Sequence, residues 1–137
     1  MEKVSIAHYN SVNNVWLQML GFYKLEMRAL KNKLTDIVRK NTNIDVVGQA
    51  RQYEKVFEVQ LGSIDELCKD ICAITTEQAV HTKEGYIDIN LWSAYSQLKE
   101  RFITEERELN NVKKSFKQFA SAMDANSNNV FQSYLSN

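Results

Sequence analysis

The chain has 137 residues and sets 17 Lys and Arg against 17 Asp and Glu, so its formal charge is zero. That balance gives no electrostatic drive toward nucleic acid or an anionic membrane, both of which favour a basic surplus. With no Pro, four Gly and an apolar fraction of 44%, the composition implies few turns and long helices in a single domain spanning 1–137.

Residues 1–11 carry Glu2, Lys3 and His8 and no apolar run, which predicts no secretory signal. The uncharged runs are short and studded with polar residues, far from the roughly 18 apolar residues a membrane span needs.

The first predicted helix covers about 9–40. Its apolar stripe is Val12, Trp16, Leu20, Tyr23, Met27, Leu30, Leu34 and Ile37, at steps of three and four that place it on one face. A second set, Val15, Met19 and Phe22, widens that face over the first half. This widened part is expected inside a bundle or under another subunit. Asn41-Thr42-Asn43 ends the helix, since Asn tolerates a left-handed helix exit and Asn or Thr can cap the next start. So short a connection predicts antiparallel neighbours.

The second helix is predicted over about 45–82, with Val46, Ala50, Tyr53, Phe57, Leu61, Ile64, Leu67, Ile71 and Ile74 on its stripe. Gly62-Ser63 sits in the middle, and Ser63 with Glu66 has the spacing of a capping box. The three-four spacing nevertheless passes through without a phase shift, so one helix, kinked at most at Gly62, is expected. Residues 81–88 form the second connection, with Gly85 as the break and Asp88 or Asn90 as the next cap.

The third helix, about 88–134, repeats Leu91, Tyr95, Leu98 and Phe102, then Leu109, Val112, Phe116, Phe119 and Met123, then Val130 and Tyr134. Its stripe is interrupted at Glu105. The expectation there is a slight rotation that brings Ile103 onto the seam beside Phe102 and leaves Glu105 near water. The alternative is a buried, paired acid that specifies register. This helix is longer than the other two, so its end overhangs the Asn41–Asn43 turn, either packing on another subunit or bending back near Asn126. The whole reads as an all-α, antiparallel up-down bundle of three long helices with coiled-coil-like packing and essentially no strand. Leu20, Met27, Leu30, Phe57, Ile64, Ile71, Leu98, Leu109, Val112 and Phe116 are expected in its core.

Candidate chemistry is sparse. A di-iron bundle needs Glu-x-x-His pairs on two helices, whereas Glu77 and His81 are four apart and His8 has no Glu three before it. Cys68 and Cys72, one helical turn apart, have poor disulfide geometry and, even with His81, only a weak likeness to a zinc site; buried free thiols in a reducing cytoplasm are expected. Lys113, Lys114 and Lys117 are interleaved with Phe116 and Phe119, but the lysines fall off the core stripe and read as solvated surface rather than a nucleic-acid face. There is no glycine-rich phosphate loop and no Ser, His and Asp grouping.

The functional expectation is a non-enzymatic interaction or assembly module, cytoplasmic, with no cofactor and protein as its partner. Its rival is a ligand- or metal-binding bundle enzyme with a pocket near Trp16, Tyr53, Tyr95, Cys68 and Cys72. Left exposed, Val15, Met19 and Phe22 with Val130, Phe131, Tyr134 and Leu135 would form an apolar patch larger than soluble monomers usually tolerate. A homodimer through these residues is therefore expected.

Overall fold

The computed structural model describes residues 3–41, 43–76 and 82–136, with side chains at 3–41, 43–75 and 82–123. Three helices pack against one another: α1 (Ile6–Lys40), α2 (Ile44–Thr76) and α3 (Ile89–Ser136). Between α2 and α3 lies a small antiparallel hairpin, β1 (Thr82–Lys83) and β2 (Tyr86–Ile87). The all-α three-helix bundle expected from the spacing is therefore present.

Cross-helix contacts show the path. Lys24 meets Asp65 and Lys31 meets Glu58, in opposite order along α1 and α2. Ser63 meets Glu105 and Tyr53 meets Ser115, again in opposite order along α2 and α3. Tyr9 lies against Tyr95, Trp16 against Phe102 and Tyr23 against Glu106, so α1 and α3 run the same way. The chain goes up, down and up.

The core repeats every seven residues without a break, and this differs from the expected stripes at three places. On α1 the sequence of inward positions is Tyr9, Asn13, Trp16, Leu20, Tyr23, Met27, Leu30, Leu34, Ile37, most of them buried, with Tyr23 and Leu30 half-buried. Asn13, 1% exposed, holds the position expected for Val12, which is half-buried. On α2 Gln60, 8% exposed, stands between Phe57 and Ile64 where Leu61 was expected. On α3 Glu105, 5% exposed, stands between Phe102 and Leu109, while Ile103 is 46% exposed. The expected rotation that would put Glu105 near water therefore does not occur. A helix that steps 4, 3, 4, 3 along one face keeps those steps through a polar residue, because shifting the register would move every later apolar side chain off the seam. Of the expected core, Leu30 and Val112 are half-buried and the remainder are buried.

Helix ends also differ. α1 starts at Ile6, three residues earlier than expected, because the Ser5 hydroxyl accepts the His8 backbone N–H at 3.1 Å and caps it. Asn41 leaves α1 in extended rather than left-handed conformation (φ −121°, ψ 131°), with its side-chain amide donating to the Ile37 carbonyl at 2.7 Å. Asn43 caps α2 by accepting the Asp45 N–H at 2.9 Å. α2 is described from Ile44 to Thr76 and runs unbroken through Gly62; residues 77–81 of its expected span lie outside the described residues, and Thr82 stands in β1.

The described strand is confined to the two-residue β1 and β2 of this hairpin, in keeping with the expectation of essentially no strand. The turn residues Glu84 and Gly85 have φ of 55° and 81°, the double positive φ that a two-residue type I′ turn requires. The segment before α1 adds to it: the Ile87 N–H donates to the Val4 carbonyl and the Ile6 N–H to the Gly85 carbonyl, both at 3.0 Å. Asp88 then caps α3 by accepting the Leu91 N–H at 2.9 Å. α3 has 48 residues against 35 and 33 in α1 and α2, and remains one helix to Ser136.

Candidate interaction surface

The outward side of α1 carries a second seven-residue stripe: Ser11, Val15, Gln18, Phe22, Leu25 and Ala29, every one exposed. Its large members are open to solvent, Val15 at 48%, Phe22 at 60% and Leu25 at 63%. Met19, at its flank, is half-buried against the core. Val15 and Phe22 are thus not interior to the chain's own bundle, and no side chain described here covers them. No Asp, Glu, Lys or Arg stands between Lys3 and Lys24, so the upper half of this face is free of charge altogether. Gly21 lies beside Phe22, and a Cβ built there would meet nothing within 4 Å. A glycine in a helix interior costs about 0.5–1 kcal/mol relative to Ala, and among the described residues no contact calls for it.

The middle of the bundle is held by polar contacts across its seams. The Ser63 hydroxyl donates to Glu105 Oε2 at 2.7 Å, while Glu105 Oε1 has no partner. Burial pushes the Glu105 carboxyl above the usual carboxylate range, against the pull of the Ser63 hydrogen bond. The Tyr23 phenol donates to Glu106 at 2.5 Å, and its pKa is pushed up to about 12, first by burial and then by that bond. Lys113, from the small basic group, turns inward to both Glu26 oxygens at 3.2 Å and lies 5.8 Å from the Tyr23 ring centre. Lys114 and Lys117 are exposed.

This layer divides the charge. Residues 24–62 and 106–137, toward the Asn41 end, contain twelve Lys and Arg against eight Asp and Glu. Residues 1–23 and 63–105, toward the hairpin, contain five against nine. The formal zero is thus a net of +4 at one end and −4 at the other, and the asymmetry survives without Glu2, Glu77 and Asp124, which lie outside the described side chains.

The residues proposed for a pocket are not brought together. Trp16 and Tyr95 stack at 5.5 Å near the hairpin end, whereas Tyr53 packs against Phe116 at 5.4 Å. Tyr95 and Phe116 are 21 residues apart on α3, about 32 Å along the axis. Cys68 is half-buried and Cys72 exposed, both free; burial, then the neighbouring Asp65, raises the Cys68 thiol pKa. Among the described residues no group of three His, Cys, Asp or Glu is placed to hold a metal. Glu77 and His81 lie outside the described residues, and the side chains of Val130, Phe131, Tyr134 and Leu135 lie outside the described side chains.

Several open grooves flank α3. One, of about 660 Å³, has Tyr53, Phe119 and Met123 with a glutamine rim; another, of about 520 Å³, has Glu105 and Ser63 among its walls. Among the described residues no helix is long and apolar enough to cross a membrane. Comparison with protein-family models, with curated proteins and with solved structures finds nothing that matches this chain.

Proposed function

We propose that this chain is a non-enzymatic helical-bundle module that works through protein–protein contacts, in the first place by binding a second copy of itself. The observation that carries the reading is the charge-free outer stripe of α1, with Phe22 60% exposed between Val15 and Leu25. Interface centres are depleted in charge and enriched in aromatic side chains, and an uncovered apolar stripe in seven-residue spacing is the surface that a coiled-coil partner helix fills. Met19 supports the stripe from its flank. The segment after Asp124, with Val130, Phe131, Tyr134 and Leu135 in its sequence, extends the same association from the end of α3. The free thiols of Cys68 and Cys72 fit a reducing, cytoplasmic setting.

Light scattering on the purified chain at micromolar concentration tests this. The expected result is a dimer for the full chain and a monomer of unchanged helix content for Phe22→Glu. A full-length monomer would sink the reading. A version ending at Asp124 measures the tail's share: a weaker dimer assigns it one, and an unchanged dimer places the whole interface on α1.

A further inference from the structure

We infer that the second copy lies antiparallel along the outer stripe of α1, so that the basic end of each protomer sits beside the acidic end of the other. This rests on the reading of the chain as a self-associating module and adds the register and the orientation.

The stripe reads nearly the same in both directions. Pairing residues whose numbers add to 40 sets Ser11 opposite Ala29, Val15 opposite Leu25 and Gln18 opposite Phe22, all of them exposed. An antiparallel two-fold repeats each pair on the other side of its axis, which passes between Gln18 and Phe22 on the face opposite buried Leu20. Each large apolar residue of one helix then meets a partner: Leu25 covers Val15, and Phe22 lies along the Gln18 stem. Gly21 flanks the stripe close to the level of the axis with open space around it, so on that flank the partner helix meets no Cβ.

Charge selects between the two orientations. In a parallel pair the twelve-against-eight ends would lie together, and so would the five-against-nine ends. In the antiparallel pair each end faces its opposite, which steers encounter and penalises the wrong arrangement. The stripe itself contributes no charge to either arrangement, so orientation falls to the flanks.

Cross-linking tests the register. In a Cys68→Ser, Cys72→Ser background, two single-cysteine proteins, Ser11→Cys and Ala29→Cys, are checked for helix content, then oxidised alone and mixed. The inference expects disulfide dimers mainly in the mixture. Cross-links within each protein alone would mean a parallel dimer and overturn the orientation, while the self-association reading stands. A dimer that cross-links in none of the three samples would move the interface off α1. The unmodified chain supplies the second measurement: its dimer should weaken several-fold from about 0.1 M to about 1 M salt, as the Debye length falls from about 10 Å to about 3 Å. An affinity that salt leaves unchanged would remove charge as the orienting force. A monomer in every condition would instead sink the underlying reading.

Discussion

Each helix carries one polar residue at an inward position of its repeat: Asn13, Gln60 and Glu105. Counting only apolar residues skips them, which is why the sequence stripes bent around two of them and broke at the third. The missed signal was the step count itself, since 98, 102, 105, 109 and 57, 60, 64 alternate by three and four. These residues cost stability and limit register, as a polar group in a helical seam does. Glu105 gives the sharpest test. Its folded pKa lies above the ordinary value of 4.5, so its neutral form favours the fold. The contribution is fully present below the unfolded pKa and is lost as pH rises through the folded one. Glu105→Gln keeps the shape and the Ser63 contact without the charge. It should be more stable than the native chain at neutral pH because it no longer desolvates a charge, a gain limited by the amide nitrogen, which would stand as unpaired as Oε1 does now. The advantage should shrink as the pH is lowered toward about 4, where the native carboxyl is also neutral. Thermal melts across that range check it, and a variant that is less stable at neutral pH would show the carboxylate to be a net asset.

Among the elements, the three helices were legible because their apolar spacing is long and uninterrupted, while the ends were not. The hairpin is not legible because β1 and β2 have two residues each, too few for an alternation to register. The sequence marks the site only by Gly85, which reads as a break and stands in the structure as half of a turn. Glycine makes opposite predictions at two sites. Gly62 is helical with nothing within 4 Å of a would-be Cβ, so Gly62→Ala should stabilise α2 by about 0.5–1 kcal/mol. Gly85 has φ 81°, so Gly85→Ala should destabilise by about 1–2 kcal/mol because an L side chain is strained there. Its neighbour Glu84 already bears that strain at φ 55°, and Glu84→Asn should recover some of it, since Asn accepts the left-handed region. Urea titrations of the three variants should give two gains and one loss; a loss at Gly62 would mean that its helix is bent for a reason outside this chain.

At the scale of the whole molecule, topology followed from helix count and connection length, and the face that proposes a function was legible in part: Val15, Met19 and Phe22 stood out, whereas the charge-free run above Lys24 and the end-to-end charge split needed the fold to give them a place. The fold also puts two aromatic clusters at opposite ends. Trp16 lies between Tyr95 at 5.5 Å and Phe102 at 5.8 Å near the hairpin. Phe116 meets Phe57 edge-on at 5.1 Å and Tyr53 at 5.4 Å toward the Asn41 end. Between them lies the layer of Gln60 and Glu105, where polar side chains stand in the seam. Conservative changes at each end, Trp16→Phe and Phe116→Leu, should cost roughly 1–1.5 kcal/mol apiece. The clusters share no side chain, and Phe102 and Phe116, their nearest members on α3, stand about 21 Å apart, so the double variant should lose the sum to within about 0.3–0.5 kcal/mol. Additivity also requires that the bundle unfold as one unit. Each helix passes unbroken through the polar layer, and a half cannot melt without exposing the seam of the same helix beyond it, so a single transition followed by circular dichroism and by Trp fluorescence is expected. Two separated transitions, with Trp16→Phe moving only one of them, would show that the polar layer divides the bundle into independently folding ends.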